Sequence, residues 1–168
     1  LFRSGLQYAE ENFKKEDPYK VEPADQVGNR ILVDGNEAAA LGAIWGGVSV
    51  VAWYPITPAS SLAESLEKHI GKVREKDPNG DNRFVIIQAE DELAAVGMAL
   101  GAGWAGARSM TSTSGPGISL MAENLGLGYF TEIPTVIYDV QRVGPSTGLP
   151  TRTQQSDLLQ VAFHSHGD

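Results

Sequence analysis

Four short stretches of this 168-residue chain place reactive side chains directly after apolar runs. Glu90, Asp91 and Glu92 set three carboxyl groups in a row after the run at 84–87, where one of them can hold or pass a proton. Tyr54-Pro55-Ile56-Thr57-Pro58 follows the run at 48–53. Pro55 and Pro58 each fix φ near about −65° and remove an amide donor, so Ile56 and Thr57 are expected in one extended shape, with the Thr57 hydroxyl aimed. Thr111-Ser112-Thr113-Ser114-Gly115-Pro116-Gly117 joins hydroxyls to glycine amides at a helix start, the makings of an anion or ligand cradle. Arg142, just past the run at 135–140, carries a planar fork able to grip a carboxylate through two parallel hydrogen bonds.

Each stretch also has a plainer explanation. The proline segment can be a stiff connection with a spare hydroxyl. Acids at a helix N-terminus are stabilised by its dipole, which accounts for one or two of the three carboxyls but not for all. Ser114 can simply cap a tight turn, and Arg142 can pair with Asp139 or Asp157. The balance moves because Thr57, Glu92, Thr113 and Arg142 all fall on the same edge of the sheet that the rest of the pattern implies, the edge where such sheets hold ligands.

That sheet follows from alternation. Apolar runs at 31–33, 48–53, 84–87, 109–113 and 135–140 read as strands, and the segments at 37–45, 61–72, 91–103, 118–125 and 155–163 read as helices. Strand and helix in strict alternation predict an α/β fold: an open, mainly parallel, doubly wound sheet with helices on both faces. Asn36 and the Ser61-x-x-Glu64 box are the expected N-caps. Residues 74–83, with Pro78-Asn79-Gly80-Asp81, read as a surface turn. In the helix after Glu92, Ala95, Ala99 and Gly103 line one face and Gly97 and Gly101 a neighbouring one. Two interior glycines cost about 1 kcal/mol each relative to alanine, so the close approach of another backbone must offset them. The chain's own sheet and a partner subunit are both open as that backbone, with the partner favoured.

Several motifs are excluded. Gly101-x-Gly103-x-x-Gly106 matches a dinucleotide fingerprint in letters, but it sits at the end of a helix rather than between a strand and a helix start. No Walker A sequence or nucleophile elbow is present. A net charge of −8 argues against a nucleic-acid partner. With no cysteine, these residues offer no disulfide, thiolate nucleophile or cysteine-ligated cluster. His69, His164 and His166 lack the i, i+4 spacing of a helical metal site. No apolar run approaches the roughly 20 residues of a membrane span, and the expected setting is the cytoplasm.

The first 27 residues hold 10 of the 34 Lys, Arg, Asp and Glu residues, and this density marks a boundary at 27/28. Phe2, Leu6, Ala9 and Phe13 form one face of a helix ended by Asp17-Pro18, and 18–27 reads as an exposed linker. Residues 1–27 are expected to finish an upstream domain and 28–168 to form the α/β domain, cut at its C-terminus. The missing initiator Met fits a piece of a longer chain.

YPITPASS at 54–61, EDELAA at 90–95, TSTSGPG at 111–117 and DVQRVGPSTGLPT at 139–151 together resemble the α subunit of 2-oxoacid:ferredoxin oxidoreductases. The resemblance covers Gly28 to the end and implies the pyrimidine-binding domain for thiamine diphosphate, with the cofactor held at a seam with a β subunit. It implies oxidative decarboxylation of a 2-oxoacid with coenzyme A, yielding acyl-CoA, CO2 and reduced ferredoxin. By the same resemblance Glu92, rather than Glu90, hydrogen-bonds the aminopyrimidine and favours its imino tautomer. Pro55 and Ile56 offer it backbone contacts, Thr57 hydrogen-bonds substrate and Arg142 holds the substrate carboxylate. The wording GPSTGLPT and the following Gln-x-x-Asp-Leu look like the 2-oxoglutarate branch, and 1–27 resembles the end of a fused γ-type domain.

One departure shapes the expectation. The Gly-Asp-Gly motif with a downstream Asn that holds magnesium and diphosphate is missing; Gly-Asp occurs only at Gly80-Asp81 and Gly167-Asp168. The chain is therefore expected to supply half of a shared site, with Mg2+ and the iron–sulfur cluster on its partner. Another thiamine-dependent enzyme of transketolase or synthase type, and a non-catalytic assembly module, stand as alternatives.

Overall fold

The computed structural model describes residues 1–148 and 157–166, so Leu149–Thr151 of the last motif, Gln155 at the expected start of the final helix, and Gly167-Asp168 lie outside the described residues. The chain divides into two units, Leu1–Leu32 and Val33–Asp168. In the first, α1 spans Phe2–Asn12 and buries nothing. It ends where Phe13 turns extended, short of Asp17-Pro18, and the Phe13 ring packs edge-on against Tyr8 with centroids 6.0 Å apart.

In the second unit a strand with apolar residues on both sides lies at the centre of a sheet. Strands β1 (Val50–Trp53), β2 (Val85–Gln88), β3 (Ser109–Thr113) and β4 (Val136–Asp139) run parallel in the order β2-β1-β3-β4. Helices α2 (Gly35–Trp45), α3 (Ser60–Val73), α4 (Glu92–Trp104), α5 (Gly115–Phe130) and α6 (Leu158–Phe163) accompany them. Val51 and Trp53 of β1 join Ala40 and Ile44 of α2, Leu62, Leu66 and Ile70 of α3, and Met110 of β3 in one apolar cluster. Val96 and Leu100 of α4, Met121 of α5 and Ile137 of β4 form a second. These clusters place α2 and α3 on one face and α4 and α5 on the other, as alternation along parallel strands requires. β3 is buried along its whole length.

Local chemistry departs from the sequence reading in four places. Residues 31–33 form no strand: Ile31 and Leu32 are exposed, and β propensity without a neighbour to pair with makes no ladder. Asp34, not Asn36, caps α2, its Oδ1 accepting from Glu37 N at 2.8 Å. Asn36 instead donates to the Pro58 carbonyl at 2.9 Å and to Ser61 Oγ at 2.7 Å. That bond occupies Ser61, so α3 starts one residue earlier with no side-chain cap. Gly115-Pro116-Gly117 forms the first turn of α5, where a proline lacking N–H is tolerated, rather than a loop ahead of it.

Gly106 explains the false dinucleotide match. It stands just past α4 at φ +87°, a conformation that favours glycine, and its amide closes onto the Gly103 carbonyl at 2.9 Å. The expected turn at 74–83 is present, organised by Asp77 Oδ1, which accepts from Asn79 N and Asp81 N. Gly80-Asp81 is thus committed to a turn and shows no diphosphate cradle.

Glu37 straps α2 to α3, accepting from Lys68 Nζ at 2.7 Å and meeting His69 Nε2 at 2.6 Å. Lys68 first and His69 second hold its carboxyl below the usual range. A lowered folded value means the strap contributes at pH above the unfolded value and is lost as pH falls through the folded one. The melting temperature of Glu37→Gln should therefore lie below wild type at neutral pH and converge on it in acid. Leu66, fully buried between the two helices and the sheet, should cost about 2–5 kcal/mol in urea titration when cut to Ala.

Candidate functional site

The chain leaves β1 for β2 on one side and returns to β3 on the other, so the carboxyl ends of β1 and β3 diverge around a crevice. The β1–α3 segment reaches this point as a turn rather than an extended run: Ala59 N and Ser60 N both donate to the Ile56 carbonyl, at 2.7 and 3.1 Å. That arrangement buries Ile56 and leaves Pro55 and Thr57 exposed. Ile56 consequently has its amide but not its carbonyl to offer a ligand, whereas Pro55 has only a carbonyl.

The Thr57 carbonyl is the junction of three strand ends. It accepts from Arg142 Nη1 at 2.8 Å and from Ser114 Oγ at 3.3 Å. Arg142 is 5% exposed, its Nε is buried without a partner, and its backbone N–H donates to Asp157 Oδ2 at 2.8 Å. Among the described residues no ion pair joins its guanidinium to Asp139 or Asp157. Its side chain is a strut for the Thr57 turn with nitrogen donors still unspent. Ser114 spends its hydroxyl on Thr57 and makes no cap bond to α5.

The carboxylates separate cleanly. Asp91 caps α4 through Ala94 N at 2.7 Å, Glu90 is exposed, and Glu92, at the first position of the helix, is 8% exposed. The cap explains why Asp91 is acidic and the dipole accommodates its neighbour, while a buried carboxyl calls for a partner. No hydrogen bond to the Glu92 carboxyl exists among the described residues. Thr111, Ser112 and Thr113 on β3 likewise bury hydroxyls without partners.

The cradle read from TSTSGPG is already filled from within. A methyl on Gly115 would lie 2.6 Å from both Asp157 Oδ1 and the Arg142 carbonyl. Asp157 thus supplies the negative charge that the N-terminus of α5 attracts. Asp139 lies half-buried at the end of β4, and burial first and the Asp157 charge second push its carboxyl up to about 6. The sequence reads Asn36 as a cap and Asp139 or Asp157 as a partner for Arg142, but their actual contacts are not legible there, because a lone Asn or Asp gives no sign of a distant partner until the fold closes. The small-residue helix is also clearer: Ala95 and Ala99 are fully buried where α4 crosses β1 and β3, and Gly103 packs on the Pro134 carbonyl. A methyl on Gly97 or Gly101 would meet none of the described residues within 4 Å. An apolar concavity of about 700 Å3, between α2 and the β3–β4 side of the sheet, contains none of these site residues.

Among the described residues, a glutamate and a strand-end threonine lie buried without side-chain partners at the switch point of a parallel sheet, where α/β domains hold ligands. Residues 41–166 match the family described as "Pyruvate flavodoxin/ferredoxin oxidoreductase, thiamine diP-bdg", and the chain belongs to that family. It is 48% identical over 156 residues to the 2-oxoacid:ferredoxin oxidoreductase 1 subunit alpha of Sulfurisphaera tokodaii, covering 91% of this chain and 25% of the relative. It is 46% identical over 137 residues to the 2-oxoglutarate synthase subunit KorA of Methanocaldococcus jannaschii, covering 82% and 35%. Among solved structures, a 2-oxoglutarate:ferredoxin oxidoreductase from Magnetococcus marinus, with 2-oxoglutarate, coenzyme A and succinyl-CoA bound, superposes with a TM-score of 0.79 at 42% identity, covering 99% of this chain and 27% of that one. The chain therefore spans about a quarter to a third of the length of these relatives. The donor set fits the family's cofactor: an aminopyrimidine offers ring nitrogens and an amino group, and Glu92 with the β3 hydroxyls offers unspent acceptors and donors.

The Asp139 value carries a sign. Raised in the folded state, it contributes stability fully below the unfolded value and loses it as pH rises through about 6. Asp139→Asn removes this titration, so its melting temperature should gain on wild type between about pH 4 and pH 7. Parallel curves across that range would contradict the burial of this carboxyl.

Proposed function

We propose that this chain is the pyrimidine-binding part of the α subunit of a 2-oxoacid:ferredoxin oxidoreductase. The reaction would decarboxylate 2-oxoglutarate oxidatively with coenzyme A to an acyl-CoA and CO2, the electrons passing to ferredoxin. The observation that carries the reading is Glu92: a buried residue whose carboxyl has no hydrogen-bond partner among the described residues, at the β1–β3 switch point of a chain in this family. Preference for 2-oxoglutarate draws support from the names of the relatives and of the similar solved structure.

Thiamine diphosphate, when bound, supplies the carbanion chemistry that cleaves the bond to the departing CO2. Glu92 would accept a hydrogen bond from the ring and hold a proton there, in a site whose burial keeps water away. Pro55 would offer its carbonyl and Ile56 its amide to the ring edge. The Thr57 hydroxyl, exposed beside that turn, would donate to substrate. Arg142 would pair the substrate carboxylate through its unspent nitrogens while Nη1 continues to anchor the Thr57 carbonyl. Binding and anchoring by one guanidinium would couple the two ends of the substrate.

The β subunit would bring the diphosphate site with its Mg2+ and the iron–sulfur cluster, since the described residues show no Gly-Asp-Gly cradle and the chain contains no cysteine. Residues 1–27 would be the end of a γ-type domain with its linker, and 28–168 the pyrimidine domain. No described helix is long and apolar enough to cross a membrane, and we place the complex in the cytoplasm.

Coexpression of the full-length chain with its β partner and measurement of coenzyme A-dependent viologen reduction tests this. Across a panel of 2-oxoacids, 2-oxoglutarate should give the highest kcat/KM. Glu92→Gln should lower kcat about 100-fold or more. Thr57→Ala and Arg142→Ala should both reduce turnover, with KM for the oxoacid rising most in the arginine variant. Full activity in all three variants would leave the chain an assembly module.

A further inference from the structure

Gly117 is the one glycine of α5 that lies against the candidate carboxyl. A side chain there would run into Thr113 Oγ1, and its Cβ would stand 3.1 Å from Glu92 Cγ and from Thr113 Cβ. The absence of a side chain at 117 therefore makes room for two others, the stem of Glu92 from α4 and the hydroxyl of Thr113 from β3. Thr113 is fully buried, and its Oγ1 has no hydrogen-bond partner among the described residues. A buried hydroxyl left unpaired is costly, and valine would fill the same volume without that cost. The observation thus asks what the hydroxyl is kept for.

The backbone supplies no answer, because Thr113 O is already taken by Val140 N at 2.8 Å and the strand ladder occupies its neighbours. Glu92 lies across the same gap, its Cγ as close to the Gly117 Cβ position as Thr113 Cβ is, and its carboxyl accepts no hydrogen bond among the described residues. Hydrogen bonds at a site of this kind are commonly long before the ligand arrives and tighten once it is bound. We infer that Thr113 and Gly117 form the seat that positions Glu92: Gly117 provides the clearance, and the Thr113 hydroxyl donates to the Glu92 carboxyl when the pyrimidine ring is bound. This rests on the role of Glu92 proposed above and adds to it two positioning residues on different elements. Three elements then converge on one carboxyl, α4 carrying it, β3 donating to it and α5 standing clear.

The test measures thiamine diphosphate affinity by calorimetry on the assembled full-length complex, together with the near-ultraviolet circular dichroism of the bound ring. Thr113→Val should weaken cofactor binding about tenfold and alter the dichroic band, as loss of a hydrogen bond to a charged group predicts. Thr113→Ser should restore both. Gly117→Ala should change both in the direction of Thr113→Val by displacing the seat. In a Glu92→Gln background, Thr113→Val should have little further effect, because the two residues act as a unit. Thr113→Ala replaces the valine variant if the latter does not assemble. Wild-type affinity in Thr113→Val, or a loss that persists in full beside Glu92→Gln, would overturn the inference while leaving Glu92 in its role. Wild-type affinity in Glu92→Gln itself would overturn both.

Discussion

The arrangement of this domain depends on how the Thr57 carbonyl is held. Two donors converge on it, Arg142 from beyond β4 and Ser114 from the end of β3, and Asn36 steadies the next residue from α2. Parallel strands have no hairpins to tie their carboxyl ends, so side chains must do this where a crevice is to keep its shape. An arginine buried to 5% exposure is costly unless its nitrogens are used, and the carbonyl it grips offsets part of that cost. The same contact fixes the turn that presents Thr57. Loops at the carboxyl ends of three strands are thereby tied to one another.

Glu92 occupies the other side of the same crevice, and its placement follows from simpler facts. Asp91 takes the cap, so the helix begins with its first residue aimed inward rather than into solvent. Small residues along α4 and the all-buried β3 let the helix settle low on the sheet. Gly117 then clears the last obstruction. Each step is local and inexpensive, and together they leave a largely buried glutamate with no hydrogen bond to its carboxyl among the described residues, a state that stability alone would not select.

The alternation of apolar runs with small-residue helices made the α/β class and the parallel sheet legible in the sequence. The family resemblance sets Glu92 apart from Glu90, and the structure buries the one and exposes the other. What escaped was chemistry that depends on distant partners. Asn36 and Ser61 each have the composition of a cap, but they bond to one another across 25 residues, so neither caps. Residues 31–33 have strand composition and no strand beside them. Arg142 reads as a surface clamp until Thr57, 85 residues earlier, is brought under its guanidinium. Asp157 reads as an ordinary acid until α5 points its N-terminus at it. Local signals report what a residue favours, and long-range contacts decide which preference is met.

We propose that Glu92, at the divergence of β1 and β3, receives the cofactor's heterocycle. A structure of the assembled α and β subunits with thiamine diphosphate bound tests it most directly. The account predicts a ring nitrogen of the pyrimidine within about 3 Å of the Glu92 carboxylate, with the Thr57 turn at the ring's edge. A pyrimidine ring seated at another part of the sheet, or Glu92 paired to a protein group with the cofactor in place, would contradict it.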